Sequence, residues 1–75
     1  MNYVYVLKVK KRESFYIGST NNLKRRLKEH RDKGDFELEY YEAYKDIKAA
    51  RMREKRLKYY GSAWRALKKR MSSNA

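Results

Sequence analysis

The run YVYVLKV, from Tyr3 to Val9, is the segment that most constrains the fold of this chain. Its residues are β-branched or aromatic and apolar on both faces of an extended strand, which favours a central position in a sheet. The polar segment from Lys10 to Glu13 is typical of a hairpin turn, and SFYIG, from Ser14 to Gly18, of the returning strand. If that loop has an even number of residues, Tyr5 and Tyr16 lie on the same face as neighbours.

The length of 75 residues allows one small hydrophobic core and therefore one domain, which we expect over residues 1–71 with a flexible tail at 72–75. Charged residues make up 40% of the chain, a fraction that alone could indicate disorder. Aromatic residues reach 15%, however, and the apolar residues recur with regular periods. The composition and the periodicity together predict a folded domain.

A helix is predicted from Asn22 to Arg31, because Ser19, Thr20 and Asn21 before it are good N-cap residues and neither Pro nor Gly interrupts it. Leu23 and Leu27 form its apolar stripe, and Arg26 and His30 lie along the border of that stripe. Gly34 then ends the helix as a candidate for the left-handed conformation. The helix would therefore carry a basic side chain and an imidazole beside its buried face.

The second half of the chain predicts a third strand and two helices. The strand from Phe36 to Tyr44 places Phe36, Leu38 and Tyr40 on one face. A helix from Ile47 to Tyr60 begins at the cap Asp46 and stops at Gly61, with an apolar stripe through Ala49, Ala50, Leu57 and Tyr60. A short helix from Ala63 to Met71 follows. The predicted fold class is α+β, a small three-stranded antiparallel sheet flanked by helices, in the order β-β-α-β-α-α.

The charge points to a polyanionic partner. Lys and Arg number 21 against 9 acids, a net charge of +12, and nucleic acid ranks ahead of an anionic membrane surface. The bland alternative is a charge that serves solubility alone. No segment has the roughly 18 apolar residues of a membrane span, and Met1 to Val9 lacks the layout of a signal peptide. The absence of Cys is compatible with a reducing cytoplasm, where we expect the protein.

The motifs resemble those of the GIY-YIG nuclease superfamily, in particular its small single-domain members and the excinuclease-type domain. YIG, ending at Gly18, matches the second half of the family's name motif, and YVY, ending at Tyr5, matches the first half except that Tyr3 replaces the glycine. Arg26, eight residues after Gly18, stands at the position of the family's catalytic arginine. His30 matches the histidine one helical turn later, and Glu54 matches the metal-ligating glutamate. The loop from Asp32 to Asp35 is shorter than in many small members, and Asn74 is the only late candidate for an asparagine that larger relatives use.

The resemblance implies a metal-dependent endonuclease that hydrolyses phosphodiester bonds. Glu54 would hold a single Mg²⁺ or Mn²⁺, one tyrosine of the pair Tyr5 and Tyr16 would activate or orient the water, and the other would hold the phosphate. Neighbouring cations would have to lower the phenol pKa for a tyrosine to act as a base. Arg26 would stabilise charge in the transition state, and His30 would donate to phosphate or relay a proton.

Alternatives remain open for each of these residues. Glu54 can be the helix partner of Lys58 at i, i+4, and Glu42 is a rival carboxylate for the metal. The tyrosines and His30 can be structural, and Arg26 can belong to a solvated basic face. For the whole chain, the alternatives are a catalytically silent nucleic-acid-binding module and a structural or ribosome-associated protein.

Further residues are candidates for nucleic-acid binding through contacts that do not depend on sequence. They are Gly18, Lys8, Lys10, Lys11, Arg12, Lys68, Lys69 and Arg70. DNA is expected ahead of RNA. We expect a family member of this size to lack a separate targeting domain, and therefore either to recognise nucleic-acid structure or to depend on a protein partner for specificity.

Overall fold

The computed structural model describes residues 1–12, 14–34 and 36–73. The elements are β1 (Asn2–Val9), β2 (Ser14–Thr20), α1 (Leu23–Lys33), β3 (Phe36–Tyr44), α2 (Ile47–Tyr59) and α3 (Gly61–Ser73). This order and the single antiparallel sheet confirm the predicted fold class. None of the helices in the described ranges is long and apolar enough to cross a membrane.

The sheet has the order β2-β1-β3, so the apolar strand β1 is central, as predicted. In the hairpin Val9 pairs with Ser14 and Tyr5 pairs with Gly18. Four residues therefore separate the paired ends, and Tyr5 and Tyr16 lie diagonally on one face. The prediction for this pair is confirmed.

A register shift in the pairing of β1 with β3 changes the face of the sheet on which the β3 side chains after Glu39 lie. Leu7 pairs with Leu38 but Val6 pairs with Tyr40, which leaves Glu39 without a Cα partner. Paired residues share a face, so Tyr40 faces the opposite side from Leu38. The prediction that Leu38 and Tyr40 share a face was wrong, because a bulge preserves the alternation of letters while it changes the face.

Helices cover both faces of the sheet. Val4 and Val6 are fully buried under α2 and α3, where they pack with Ala50, Leu57 and Leu67. Burial of a side chain of this size contributes about 2 kcal/mol each. The opposite face carries Tyr5 and Leu7 and is approached by α1, none of whose own residues is fully buried. One face is thus the packed core, and the other combines the buried Tyr5 and Leu7 with more exposed side chains such as Tyr16 beside a basic helix.

The helix ends differ from the prediction. Helix α1 is capped by Asn22, whose Oδ1 accepts from the Arg25 amide at 3.0 Å, while Ser19 and Thr20 belong to β2. Gly34 has a φ of 165°, which is extended and not left-handed.

Gly61 starts α3 and does not stop α2, because the break falls at Tyr60, an extended residue. Ala49 and Tyr60 are exposed, so the buried stripe of α2 is narrower than predicted. Helix α3 extends two residues past its predicted end, into the segment expected to be a tail, and residues 74 and 75 lie outside the described residues.

Candidate functional site

Three of the predicted site residues meet on the face of the sheet beside α1. Tyr5 Oη lies 3.3 Å from His30 Nε2, a hydrogen-bonding distance. The His30 ring also approaches Tyr16, with centroids 5.2 Å apart, and the two phenol rings are 6.3 Å apart. Tyr5 is buried, whereas Tyr16 is 43% exposed. The imidazole therefore lies between a buried tyrosine, whose hydroxyl it meets, and an exposed tyrosine, whose ring it approaches.

Gly18 makes room for this cluster. A Cβ at this position would lie 2.5 Å from Tyr5 Oη, closer than real Cβ contacts allow, and 3.1 Å from Tyr16 Cε1, which is tighter than most. The missing side chain therefore positions both phenols. Gly18 itself is buried, so its predicted contact with nucleic acid stays a prediction, while its packing role follows from the geometry.

Burial and neighbouring charges set the pKa values of Tyr5 and His30. Burial, followed by the neighbouring Tyr16, raises the pKa of Tyr5 to about 12, although the Arg26 charge acts in the opposite direction. Burial and then Arg26 hold the pKa of His30 below its ordinary value of 6.5. At neutral pH Tyr5 is therefore a protonated phenol and His30 a neutral imidazole. The condition set for a tyrosine to act as a base, a phenol pKa lowered by neighbouring cations, is therefore not met at Tyr5, because burial outweighs the charge of Arg26.

Arg26 lies on α1 one turn before His30. Its Nε atom is buried and makes no hydrogen bond within the described part of the chain. Glu29 Oε2 is 3.8 Å away, an ion-pair distance across an exposed face. Neighbouring Arg25 is 60% exposed and pairs with the same glutamate. The two arginines therefore differ, since only Arg26 has a buried donor that still needs an acceptor.

Arg26 also lines a cavity of about 200 Å³ between the N-terminal parts of α1 and α2. Ser19 and Arg51 line the same cavity. Neither was predicted as a site residue, since Ser19 was interpreted as a helix cap and Arg51 was given no role. Two guanidinium groups and a hydroxyl suit a phosphate group.

The predicted metal ligand, Glu54, is held by two side chains. Ser19 Oγ donates to its Oε1 at 2.5 Å, and Lys58 Nζ lies 2.8 Å from its Oε2. Burial alone would raise the pKa of Glu54, but the Lys58 and Ser19 contacts outweigh it, so that the pKa lies below its ordinary value. The helix ion pair considered as the alternative for Glu54 is therefore formed, and a metal ion at this carboxylate would have to displace Lys58.

The rival carboxylate, Glu42, has a fuller set of partners. Arg53 donates to it through two nitrogens, at 3.0 and 3.1 Å, and the hydroxyls of Tyr40 and Tyr44 each donate to it at 2.5 Å. Burial alone would raise its pKa, yet these donors hold it below the ordinary value. Arg53 had no predicted role, and its partner on β3 explains it. This cluster ties α2 to β3 and leaves Glu42 no free oxygen lone pair.

The protein side chains supply only some of the ligands that a divalent ion needs. Within residues 1–12, 14–34 and 36–73, no three His, Asp or Glu side chains form a metal-binding cluster. Glu54 and the hydroxyl of Ser19 supply two oxygen donors side by side. Mg²⁺ is commonly held by one or two carboxylates, waters and substrate phosphate, so this pair fits such an ion.

The predicted nucleic-acid contacts fall on two surfaces. Lys10, Lys11 and Arg12 are exposed in the hairpin turn. Lys8 and Lys68 line one cavity between the sheet and α3, and Lys69 and Arg70 follow on α3. The two predicted basic clusters are therefore linked through Lys8.

Comparison with known proteins agrees with the motifs. A family model described as the GIY-YIG catalytic domain matches residues 1–58. The chain is similar to UPF0213 protein CPE1444 of Clostridium perfringens (strain 13 / Type A), with 43% identity over 63 residues that cover 72% of this chain and 67% of the relative. No solved structure matches it.

Proposed function

This chain belongs to the GIY-YIG catalytic domain family, a nuclease family, and on that premise we propose that it is a metal-dependent endonuclease acting on DNA or structured nucleic acid. One observation carries the proposal. The Tyr5 phenol is within hydrogen-bonding distance of His30 and is subject to the charges of Arg26 and Glu54. It also neighbours Tyr16, so the Tyr5 phenol is reached by a contact or by the charge of each of the other four proposed catalytic and metal-binding residues.

The protonation states support distinct roles for the side chains. Tyr5, with its raised pKa, keeps its proton and serves as a hydrogen-bond donor to phosphate or water. His30 is neutral and can accept the proton of the attacking water. Tyr16 is exposed enough to contact the phosphate. We therefore propose that both tyrosines bind the phosphate or orient the water, and that His30, and neither tyrosine, accepts the proton.

Arg26 stabilises the charge that develops on the phosphate. Its buried Nε has no hydrogen-bond acceptor in the described structure, and a phosphate oxygen would supply one. A divalent ion held by Glu54 would polarise the phosphate and lower the pKa of a bound water. Ser19 orients the Glu54 carboxylate toward that task through its hydrogen bond.

The proposal is tested by incubating the purified chain with branched, single-stranded and duplex substrates in Mg²⁺ or Mn²⁺, against an EDTA control. Arg26→Ala should lower cleavage by about 10²-fold or more at saturating substrate, as loss of one transition-state donor does in other enzymes. The matched control is Arg25→Ala, which removes an exposed guanidinium from the same helix and should have a mild effect. Equal losses from the two variants would contradict the assignment of Arg26.

The contacts of Glu54 favour a second candidate, a nucleic-acid-binding module without activity. Both carboxylate oxygens already have protein partners, as in a purely structural ion pair. Such a module would bind every substrate equally well in Mg²⁺ and in EDTA and would cleave none. The expected cytoplasmic location and the preference for DNA stay predictions under either function.

A further inference from the structure

The edge strand β2 and helices α2 and α3 border an open groove of about 500 Å³, whose aromatic wall has no role in the proposed chemistry. Phe15 and Trp64 form its aromatic wall, with ring centroids 5.3 Å apart and ring planes at 70°. Both rings are partly exposed. At one end the groove is bordered by Tyr16, which also contacts His30 around the edge of the sheet. The groove is therefore continuous with the candidate catalytic cluster.

The groove combines these rings with positive charge. Lys68 Nζ lies 6.0 Å from the Phe15 ring centroid and 5.9 Å from that of Trp64. Lys58 lines the groove near Tyr16, and none of the described residues that line it is acidic. Proteins bind single strands through aromatic rings that lie beside positively charged groups. The rings stack on bases, and the cations contact the phosphates of the backbone.

We propose that this groove binds an unpaired segment of nucleic acid next to the cleavage site. The inference rests on the proposed function for the position of the cut, but the binding itself does not require cleavage. A duplex keeps its bases stacked against one another, so only an unpaired strand can present a base to Trp64. The groove volume is that of a small-ligand site, which suits one or two nucleotides and not a helix. The substrate class is then a branched, flapped or frayed nucleic acid and not a continuous duplex.

A second copy of the chain is the competing occupant, because the outer edge of β2 has unpaired backbone groups that another strand could extend. The charge argues against it. Each copy carries +12, so pairing would bring two strongly basic chains together, whereas a polyanion is attracted.

Trp64 is the single tryptophan of the chain and reports directly on the groove. We would titrate the full chain in EDTA with a short oligo(dT) strand and with a duplex of equal length, and follow tryptophan fluorescence. The single strand should quench Trp64 saturably, and the duplex should quench it much less. Trp64→Leu should weaken oligo(dT) binding, measured by anisotropy of a labelled strand, by about tenfold, the loss expected for one base stack.

Two lysine variants provide a matched pair in case Trp64→Leu fails to fold. Lys68→Met keeps the aliphatic cover of the rings and should lower the salt slope of oligo(dT) binding by about 0.7, one phosphate of a single strand. Lys55→Met, at an exposed position of α2 outside the groove lining, should leave the salt slope of oligo(dT) binding unchanged.

Equal quenching by both nucleic acids, quenching by neither, or equal effects of the two lysine variants would overturn the proposal, as would a dimer whose formation masks Trp64. The proposed function fails separately. If Lys68→Met cleaves a continuous duplex at an undiminished rate, the proposal for the groove is contradicted and the proposed nuclease function is supported. If single strands quench Trp64 specifically but no substrate is cleaved, the proposal for the groove is supported and the proposed nuclease function is contradicted.

Discussion

Glu42 and Glu54 are both partly buried carboxylates in contact with α2, and both have pKa values below the ordinary range, yet they are held in different ways. Glu42 is 16% exposed and is held by the two-pronged guanidinium of Arg53 and two phenol hydroxyls. Glu54 is held by one hydroxyl and by the flexible ammonium of Lys58, which is 40% exposed.

The difference separates a structural carboxylate from an exchangeable one. To free Glu42, four hydrogen bonds must break and the Arg53 charge must lose its partner in a partly buried place. To free Glu54, a long side chain must swing into nearby water, which costs little because exposed lysine pairs are weak. Of the two, we therefore propose Glu54 as the carboxylate that can take a metal ion at the smaller cost to the fold.

The largest effect expected from this comparison concerns cleavage. Glu54→Gln keeps the shape of the side chain but is a poor ligand for a hard cation, so Mg²⁺-dependent cleavage should fall by about 10²-fold or more with nucleic-acid affinity nearly unchanged. Glu42→Gln, assayed below its unfolding temperature, should still cleave. Retained activity in Glu54→Gln with loss in Glu42→Gln would place the metal on β3 and reverse the comparison.

The next effect concerns stability and its pH dependence. Glu42→Gln should lower the free energy of unfolding by about 2 kcal/mol, because Arg53 loses its carboxylate and two phenols lose their acceptor. The Glu42 pKa is lower in the folded than in the unfolded state, so its contribution is complete above pH 4.5 and is lost as the pH falls below that value.

Urea unfolding at neutral and acid pH measures this prediction. The gap between wild type and Glu42→Gln should close toward acid pH. The control is Glu29→Gln, since the Glu29 side chain is 50% exposed and its arginine contacts are 3.8 Å long. That change should cost less than about 0.5 kcal/mol. A gap of equal size at both pH values, or equal costs for the two glutamates, would show that Glu42 does not have the structural role assigned to it.

The sequence alone predicts the order of elements, the central strand and the proximity of Tyr5 and Tyr16, because these depend on local periodicity and loop length. It offers Lys58 as a local partner of Glu54, one helical turn away, but it does not predict the distant partners of either glutamate. Ser19 and Glu54 are 35 residues apart, and Glu42 meets Arg53 only after the chain turns from β3 into α2. A serine before a helix was interpreted as a cap, for which the local pattern is equally suitable.

The direction of the Tyr5 pKa could not be predicted for a related physical reason. The charges that would lower it are visible in the sequence, but the burial that raises it comes from packing under α1. The bulge at Glu39 is equally hidden, since polar and apolar letters alternate without a break from Phe36 to Tyr40. Properties set by distant contacts or by a single unpaired residue therefore escape a pattern-based prediction.

The smallest effect sharpens the comparison at Glu54 itself. If Lys58 occupies the carboxylate that a metal ion would use, Lys58→Met should tighten the binding of Mn²⁺ alone, measured calorimetrically without nucleic acid, by up to about fivefold, the strength of an exposed ion pair. Lys55→Met removes an equal charge from the exposed part of α2 and corrects for the general loss of repulsion toward a cation. Tighter binding in Lys58→Met than in Lys55→Met identifies the ammonium as a competitor. Equal changes would mean that Mn²⁺ does not bind at Glu54 Oε2, and the ease of exchange inferred for this carboxylate would then have no bearing on metal binding.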